Sequence, residues 1–195
     1  MLVKLSTPDG LVISIADAKI RLRIDDDDAD DDLERMIRAA TARYETRTQR
    51  TMLPTQFEWR APDWSCISLP VVPIRGDLDE IAYLDAAGAE QTISPTDWML
   101  DIVPDRMGIV TFADNFARPA LSSSALPVRV RFTAGCDDPE DPADDPVTAQ
   151  NPMDVHAILM LAGHWYLNRE TAVDGTMATV PGGFDDLVNE RRIYR

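Results

Sequence analysis

The residues best suited to chemistry in this chain are its aspartates, and the densest group is Asp25–Asp28 followed by Asp30–Asp32. Such a run suggests a calcium loop, which needs oxygen ligands at fixed spacing, a glycine at position six and a bidentate glutamate at position twelve. A loop begun at Asp26 places Asp31 and Ile37 at those positions, and one begun at Asp28 places Leu33 and Ala39 there. Both registers fail, so the run reads as a solvated turn whose last acids start a helix. His156 and His164 stand eight residues apart, not the four that bring two imidazoles onto one metal. On a mostly apolar helix they read as core or interface residues. Ser122–Ser124 lacks the GxSxG elbow that exposes a nucleophile and reads as a loop. Gly182-Gly183 has no following Lys-Ser/Thr and no GxGxxG context, so it lets the chain turn rather than cradle a phosphate. Cys66 and Cys136 form neither a CxxC nor a metal-finger spacing, and read as two free thiols of a reducing compartment. Carboxylates are so abundant that their pairing carries no weight for acid/base catalysis. The expectation is a chain that is not an enzyme and holds no metal and no cofactor.

Composition narrows the partners. Among 195 residues, 34 are Asp or Glu and 19 are Lys or Arg, a net charge of −15. That balance argues against gripping nucleic acid by neutralising phosphates, yet it suits a protein that lies beside nucleic acid without sticking to it. Hydrophobic residues make up 45% of the chain, enough for a sizeable core without staples. Met1–Leu5 carries Lys4 but no apolar signal region. The longest apolar stretch is interrupted at Gly163 and His164, short of a bilayer span. The expected setting is the cytoplasm, with no membrane partner.

The elements that position these residues follow from periodicity. Ser14, with Asp17 three residues on, opens a first helix carrying Ile15, Ala18, Lys19 and Leu22 at helical spacing. A second helix begins at about Asp30 and aligns Leu33, Met36, Ile37, Ala40 and Tyr44 on one face. Its acids stand at the N-terminus and Arg43, Arg47 and Arg50 toward the C-terminus, matching the helix dipole, and Pro54 ends it. From about residue 55 to 135 the pattern alternates in steps of two. Phe57 and Trp59, Ile81 and Tyr83, and Trp98, Leu100 and Ile102 each face one way, as do Val128, Val130 and Phe132 opposite Arg129, Arg131 and Thr133. Asp85–Gly88 and Pro104–Gly108 read as turns. Residues 136–152 form an acidic, proline-rich linker. Asn151-Pro152 then caps a third helix, whose segment Val155–Leu167 is apolar on nearly every face and reads as centrally buried. A loop over Gly175–Gly183 precedes a fourth helix from about Phe184 to the end, with Phe184, Leu187, Val188 and Tyr194 inward and a basic ending. Strands segregated from helices indicate an α+β fold. Residues 1–54 and 153–195 supply two helices each to a four-helix core, and the antiparallel β domain of 55–135 is inserted between them.

One stretch of this pattern resembles a known family. The segment Ile13–Glu45, ISIADAKIRLRIDDDDADDDLERMIRAATARYE, is similar to the N-terminus of phage head–tail connector proteins, also called adaptors. In that family a short helix, an acid-rich turn and a second helix follow in the same order. Ala157–Glu170, AILMLAGHWYLNRE, resembles the family's third helix, and ISLPVVPI and IAYLDAAGAEQTI resemble the β segment of its larger members. The acidic linker Asp137–Asp145 is longer than the family's usual one. The resemblance implies a structural subunit made in a bacterial host and then placed at the head–tail junction of a phage, a gene transfer agent or a prophage-derived particle. It implies a ring, usually of twelve copies, below the portal protein. The ring extends the DNA channel, lets DNA pass without tight binding, and offers a face to a tail-proximal stopper or tail-terminator protein. Two sets of residues then have expected tasks. Arg191, Arg192, Ile193, Tyr194 and Arg195 form a basic, partly apolar ending, either for docking to the portal or as a helix end that only complements its own dipole. Glu34, Arg35, Arg38, Arg43, Glu45 and Arg47 on the second helix pair charges between neighbouring copies. The competing reading is an α+β small-molecule-binding protein or enzyme, which calls for a deep pocket with convergent polar groups and shifted pKa values.

The charge balance carries its own test. A fluorescence-anisotropy titration with duplex DNA at physiological salt is expected to show no sub-micromolar binding, and a tight, salt-dependent complex would contradict the sliding-channel expectation.

Overall fold

Segregated elements need separate cores, and the chain builds two. The computed structural model describes residues 1–6, 9–25, 27–104, 106–137, 149–168, 172–173, 176–177 and 182–193. Its elements in order are β1 (Leu2–Ser6), α1 (Ile15–Leu22), α2 (Asp30–Thr48), β2 (Thr55–Ala61), β3 (Ile67–Leu69), β4 (Ile74–Leu84), β5 (Glu90–Thr92), a 3-10 turn (Pro95–Asp97), β6 (Trp98–Val103), β7 (Met107–Phe112), β8 (Val128–Ala134), α3 (Pro152–Leu167), β9 (Ala172–Val173), β10 (Thr176–Met177) and α4 (Gly182–Arg191). Two compact units result: Met1–Pro8 with Pro54–Cys136, and Asp9–Leu53 with Asp137–Arg195.

The first unit is antiparallel β structure. One sheet has the order β1-β2-β8-β4-β5 and another β3-β7-β6. The strict alternation of β8 is realised in full: Val128, Val130, Phe132 and Ala134 are buried while Arg129, Arg131 and Thr133 face the other side. Their register partners Phe57 on β2 and Ile81 on β4 join the same core as Ile67, Leu69 and Val110 of the smaller sheet. Trp64 sits edge-on against Tyr83, Phe112 and Phe116 at centroid distances of 5.2–5.5 Å, and its indole N–H donates to the Pro119 carbonyl at 2.9 Å. Ser122, read from sequence as part of a loop, is pinned there by its amide, which donates to the Leu84 carbonyl at 2.9 Å.

The second unit is helical. Ser14 caps α1 by accepting from the Asp17 amide at 3.0 Å, and its hydroxyl donates to the Asp17 carboxylate at 2.8 Å. Arg23 at φ 57° ends α1 and Gln49 at φ 63° ends α2, each in a left-handed conformation that no glycine announces. Asn151 caps α3 by accepting from the Met153 amide at 2.9 Å, with Pro152 in the first turn. Leu33, Ile37, Ala40 and Tyr44 of α2 pack with Ala157, Ile158, Leu161 and Ala162 of α3 and with Phe184 and Val188 of α4.

Four expectations change. Leu2–Ser6, which the sequence places with the helices, forms an edge strand on β2, with Leu2 opposite Trp59. A five-residue segment shows no readable period, and its partner lies some fifty residues downstream. The third helix is buried on one side rather than throughout, since His156 is exposed and Leu167 is 74% exposed. The fourth helix stops at Arg191 instead of running to the end. Of the loop expected over Gly175–Gly183, Thr176–Met177 pair with Ala172–Val173, and the helix already begins at Gly182. Residues 138–148 of the linker and Tyr194 lie outside the described residues.

Gly108 of β7 tests how tightly the β core closes. A methyl group there would run into Ile74 Cδ1 and stand 3.0 Å from Leu100 Cδ1. Gly108→Ala is expected to lower the urea-unfolding free energy by about 1–3 kcal/mol, the usual range for overpacking a filled core.

Candidate functional site

The calcium-like run is closed by a side chain of the same unit. Lys19, on α1, donates to Asp27 at 2.5 Å and to Asp30 at 2.9 Å. Those two hydrogen bonds push the ammonium up to about 12 and hold Asp27 below the usual carboxylate range. Asp30, Asp31 and Asp32 occupy the first turn of α2, where the helix dipole favours negative charge. Among the described residues, no group of three His, Cys, Asp or Glu is placed to hold a metal ion. Cys66 is exposed, Cys136 is buried, and neither is in a disulfide.

The charges of α2 are engaged mostly inside the subunit. Arg35 pairs with Asp32. Arg38 bonds Glu34 at 2.8 Å and donates to the Asp9 carbonyl at 2.7 Å. Arg47 pairs with Asp185 of α4 and lies 5.7 Å from the Phe184 ring centroid. Glu45 accepts from the Met52 amide at 2.7 Å, closing the turn after α2. Of the six residues expected to pair between copies, Arg43 is exposed and has no ion-pair partner among the described residues.

The expected docking tail is likewise partly consumed. Arg191 Nε and Nη2 donate to Asp154 Oδ1 and Oδ2 at 2.6 and 3.1 Å, a two-pronged pair. Asp154, only 2% exposed on the first turn of α3, also accepts from the Tyr44 hydroxyl at 2.6 Å. Burial and the bond to Asp154 push the Tyr44 hydroxyl well above its ordinary pKa. Arg50 Nε donates to the Arg191 carbonyl at 2.8 Å, and the Ile193 amide donates to the Thr48 carbonyl at 3.0 Å. Ile193 is itself buried. Arg191 and Ile193 therefore lock their own subunit and are not free for another surface. Arg192 is exposed, while Tyr194 and Arg195 lie outside the described residues. No periodicity signals this lock, because Asp154 and Arg191 are 37 residues apart and each reads alone as a helix-dipole charge.

On the sheet, Glu58 is 3% exposed. Burial pushes its carboxyl up, but hydrogen bonds from Arg60 at 2.7 Å and Arg131 at 3.1 Å prevail and hold it low. Arg131 also donates to Glu80 at 2.7 Å. This ladder pins β2, β8 and β4 side by side.

The two histidines open onto one feature, a groove of about 500 Å³ between α1 and α3. Arg21, Leu22, His156, Leu159, Met160, Gly163, His164, Leu167 and Asn168 line it. At its base Gly163 lets α1 approach, since a Cβ there would stand 2.6 Å from Leu22 Cδ2. His164 Nδ1 is 3.3 Å from the Asn168 amide nitrogen. The groove combines an apolar floor with cationic or protonatable groups and contains no carboxylate among its lining residues. That composition suits a docked side-chain cluster better than a reaction.

With this geometry in place, the likenesses to known proteins are informative. Residues 12–70 match the family described as phage gp6-like head-tail connector protein. The whole chain is similar to a chain of the neck of an empty gene transfer agent particle computed with C6 symmetry, at 25% identity over 96% of that chain and a TM-score of 0.74. Chains in the virion of a native gene transfer agent particle and in the neck of a native particle computed with C12 symmetry share the fold, each at 24% identity over 96% of that chain, with TM-scores of 0.73 and 0.71. No curated protein matches the chain.

The lock makes a direct prediction. Asp154→Ala removes the buried carboxylate that the half-buried Arg191 and Tyr44 share and is expected to destabilise the protein by about 3 kcal/mol. Tyr44→Phe, which removes one hydrogen bond to a charged group, is expected to cost about 2 kcal/mol. Denaturant unfolding with a double-mutant cycle measures both values and their coupling.

Proposed function

We propose that the chain is a head–tail connector subunit of a phage or phage-like particle. Identical copies form a ring, twelve in number, below the portal protein. The ring extends the DNA channel and offers a tail-side face to a stopper or tail-terminator protein. Its role is structural rather than catalytic, and its place after assembly in a bacterial cytoplasm is the head–tail junction. The observation that carries this reading is the likeness to a particle-neck chain over the whole length of this one, joined to the connector-family match over residues 12–70. Ring formation draws support from the C6 and C12 symmetry of the similar necks. A net charge of −15 fits a channel through which DNA slides without adhering.

Portal docking falls in this proposal to Arg192, Tyr194 and Arg195. Ile193 is buried and its amide donates to the Thr48 carbonyl, which anchors the chain immediately before Tyr194. Arginine's planar fork suits paired contact with carboxylates on a partner. Arg43 of α2 remains available for pairing with a neighbouring copy.

Portal-bearing heads lacking this subunit provide the test. They are expected to take up the wild-type chain and become competent for tails, and failure of uptake would defeat the connector reading. A variant lacking Tyr194 and Arg195 and carrying Arg192→Glu is expected to keep its unfolding temperature yet leave full heads without tails. Tailed particles from that variant would show that docking lies elsewhere.

A further inference from the structure

A closed ring of more than two identical copies cannot be held by one self-matching patch. Each copy must present two different surfaces that fit each other, one to each neighbour. If the ring reading above holds, the described surface offers such a pair. Large exposed apolar side chains are few, and apart from Met1 and Leu5 they fall into two groups. Ile20, Met153 and Leu167 lie on α1 and α3, the helices that form the groove. Met99, Ile102 and Val103 lie on β6.

Met99 and Val103 of this group share one face of the β3-β7-β6 sheet, while Ile102 lies on the other. Register places Met99 beside Thr111, Asp101 beside Ile109 and Val103 beside Met107. By strand alternation these six residues share one face, opposite the face where Leu100, Val110, Ile67 and Leu69 enter the core. Met99 is 59% exposed, Val103 and Asp101 are exposed, and Met107 and Ile109 are half-buried. The face is thus an apolar stripe with a carboxylate in its middle, and its methionines can adapt to a partner's shape. Asp101 is held toward that face by the Thr111 hydroxyl, which donates to it at 3.2 Å. Arg106, in the connecting turn, adds one cation at the tip.

The groove between α1 and α3 has the converse character. It is concave, and its lining combines the apolar Leu22, Leu159, Met160 and Leu167 with Arg21, His156 and His164. Arg21 is exposed and has no ion-pair partner among the described residues. An exposed apolar groove with an unpaired cation, and an exposed apolar strand pair with a central carboxylate, complement each other in polarity and charge. We infer that the β6–β7 hairpin of one copy seats in the α1–α3 groove of the next, with Asp101 facing Arg21. The apolar stripe supplies the contact area, and the charge pair sets the register and discourages groove-to-groove association.

Trans cross-linking on portal-bearing heads tests this contact. Two chains are made in a Cys66→Ser background, one carrying Leu167→Cys and the other Met99→Cys, mixed, loaded onto heads and treated with a short bismaleimide. A covalent dimer is expected from the mixture and from neither chain alone. A Leu5→Cys chain paired with the Leu167→Cys chain should give none. Charge exchange is the second arm. Arg21→Asp or Asp101→Arg alone should weaken uptake at least about tenfold, a loss of one charge pair's worth of affinity, and the double variant should recover it. Uptake of the cysteine chains without the Leu167–Met99 link, or a double variant no better than the singles, overturns the inference while leaving the connector reading intact. Failure of the wild-type chain itself to load defeats that reading, and the inference with it.

Discussion

The buried carboxylate of Asp154 is the constraint on which the helical unit depends. This unit is assembled from two chain segments that are separated by Pro54–Cys136 of the β unit. Apolar contacts alone fix such an assembly weakly, since Leu, Ile and Ala faces tolerate rotation and sliding. Asp154 removes that freedom by engaging Tyr44 from the first segment and Arg191 from the end of the second. A buried charge is costly to desolvate and offsets that cost only with good geometry and satisfied lone pairs. The two prongs of Arg191 and the Tyr44 hydroxyl provide both. The net contribution to stability is therefore secondary to specificity: α2, α3 and the end of α4 have one arrangement in which all three groups are satisfied.

The β unit is organised by a similar division of labour within each strand. One side of β8 delivers Val128, Val130 and Phe132 to the core, and the other aligns Arg129 and Arg131 with glutamates on β2, β4 and β5. Glu58 is the buried member of that ladder and is held charged by two arginines. A depressed carboxyl pKa adds stability that is present above the unfolded value and lost as pH falls through the folded one. The register of this sheet is accordingly supported most firmly from neutral pH down to the acid range in which glutamate protonates.

Many charges that look like partner-binding groups in this chain are used internally. Lys19 ties the aspartate turn, Arg38 and Arg47 tie α2 to Asp9 and Asp185, and Arg191 ties α4 to α3. What remains at the surface is strongly acidic, with a small cationic groove and a few apolar side chains. A subunit of that kind associates through limited, oriented patches and repels polyanions elsewhere.

Much of the fold was legible because it rests on local rules. Ser14 and Asn151 marked helix starts through capping, the 3.6-residue spacing of Leu33, Ile37, Ala40 and Tyr44 marked the buried face of α2, and the two-residue alternation of Val128, Val130 and Phe132 marked a strand with its core side. The likeness to head–tail connectors was legible for the same reason, being carried by short ordered segments. The end of each helix was harder to see, because Arg23 and Gln49 take the left-handed conformation that usually announces itself by glycine. The site was scarcely legible at all. Arg191 and Ile193 carried the signature of a free basic tail, and only tertiary structure brought them against Asp154 and Thr48. Likewise an apolar run gave no means to tell the buried side of α3 from the side that opens as a groove. Sequence patterns record what each residue prefers within a few neighbours, whereas a charge's partner and a helix's covered face are set by segments that meet only after the chain has folded.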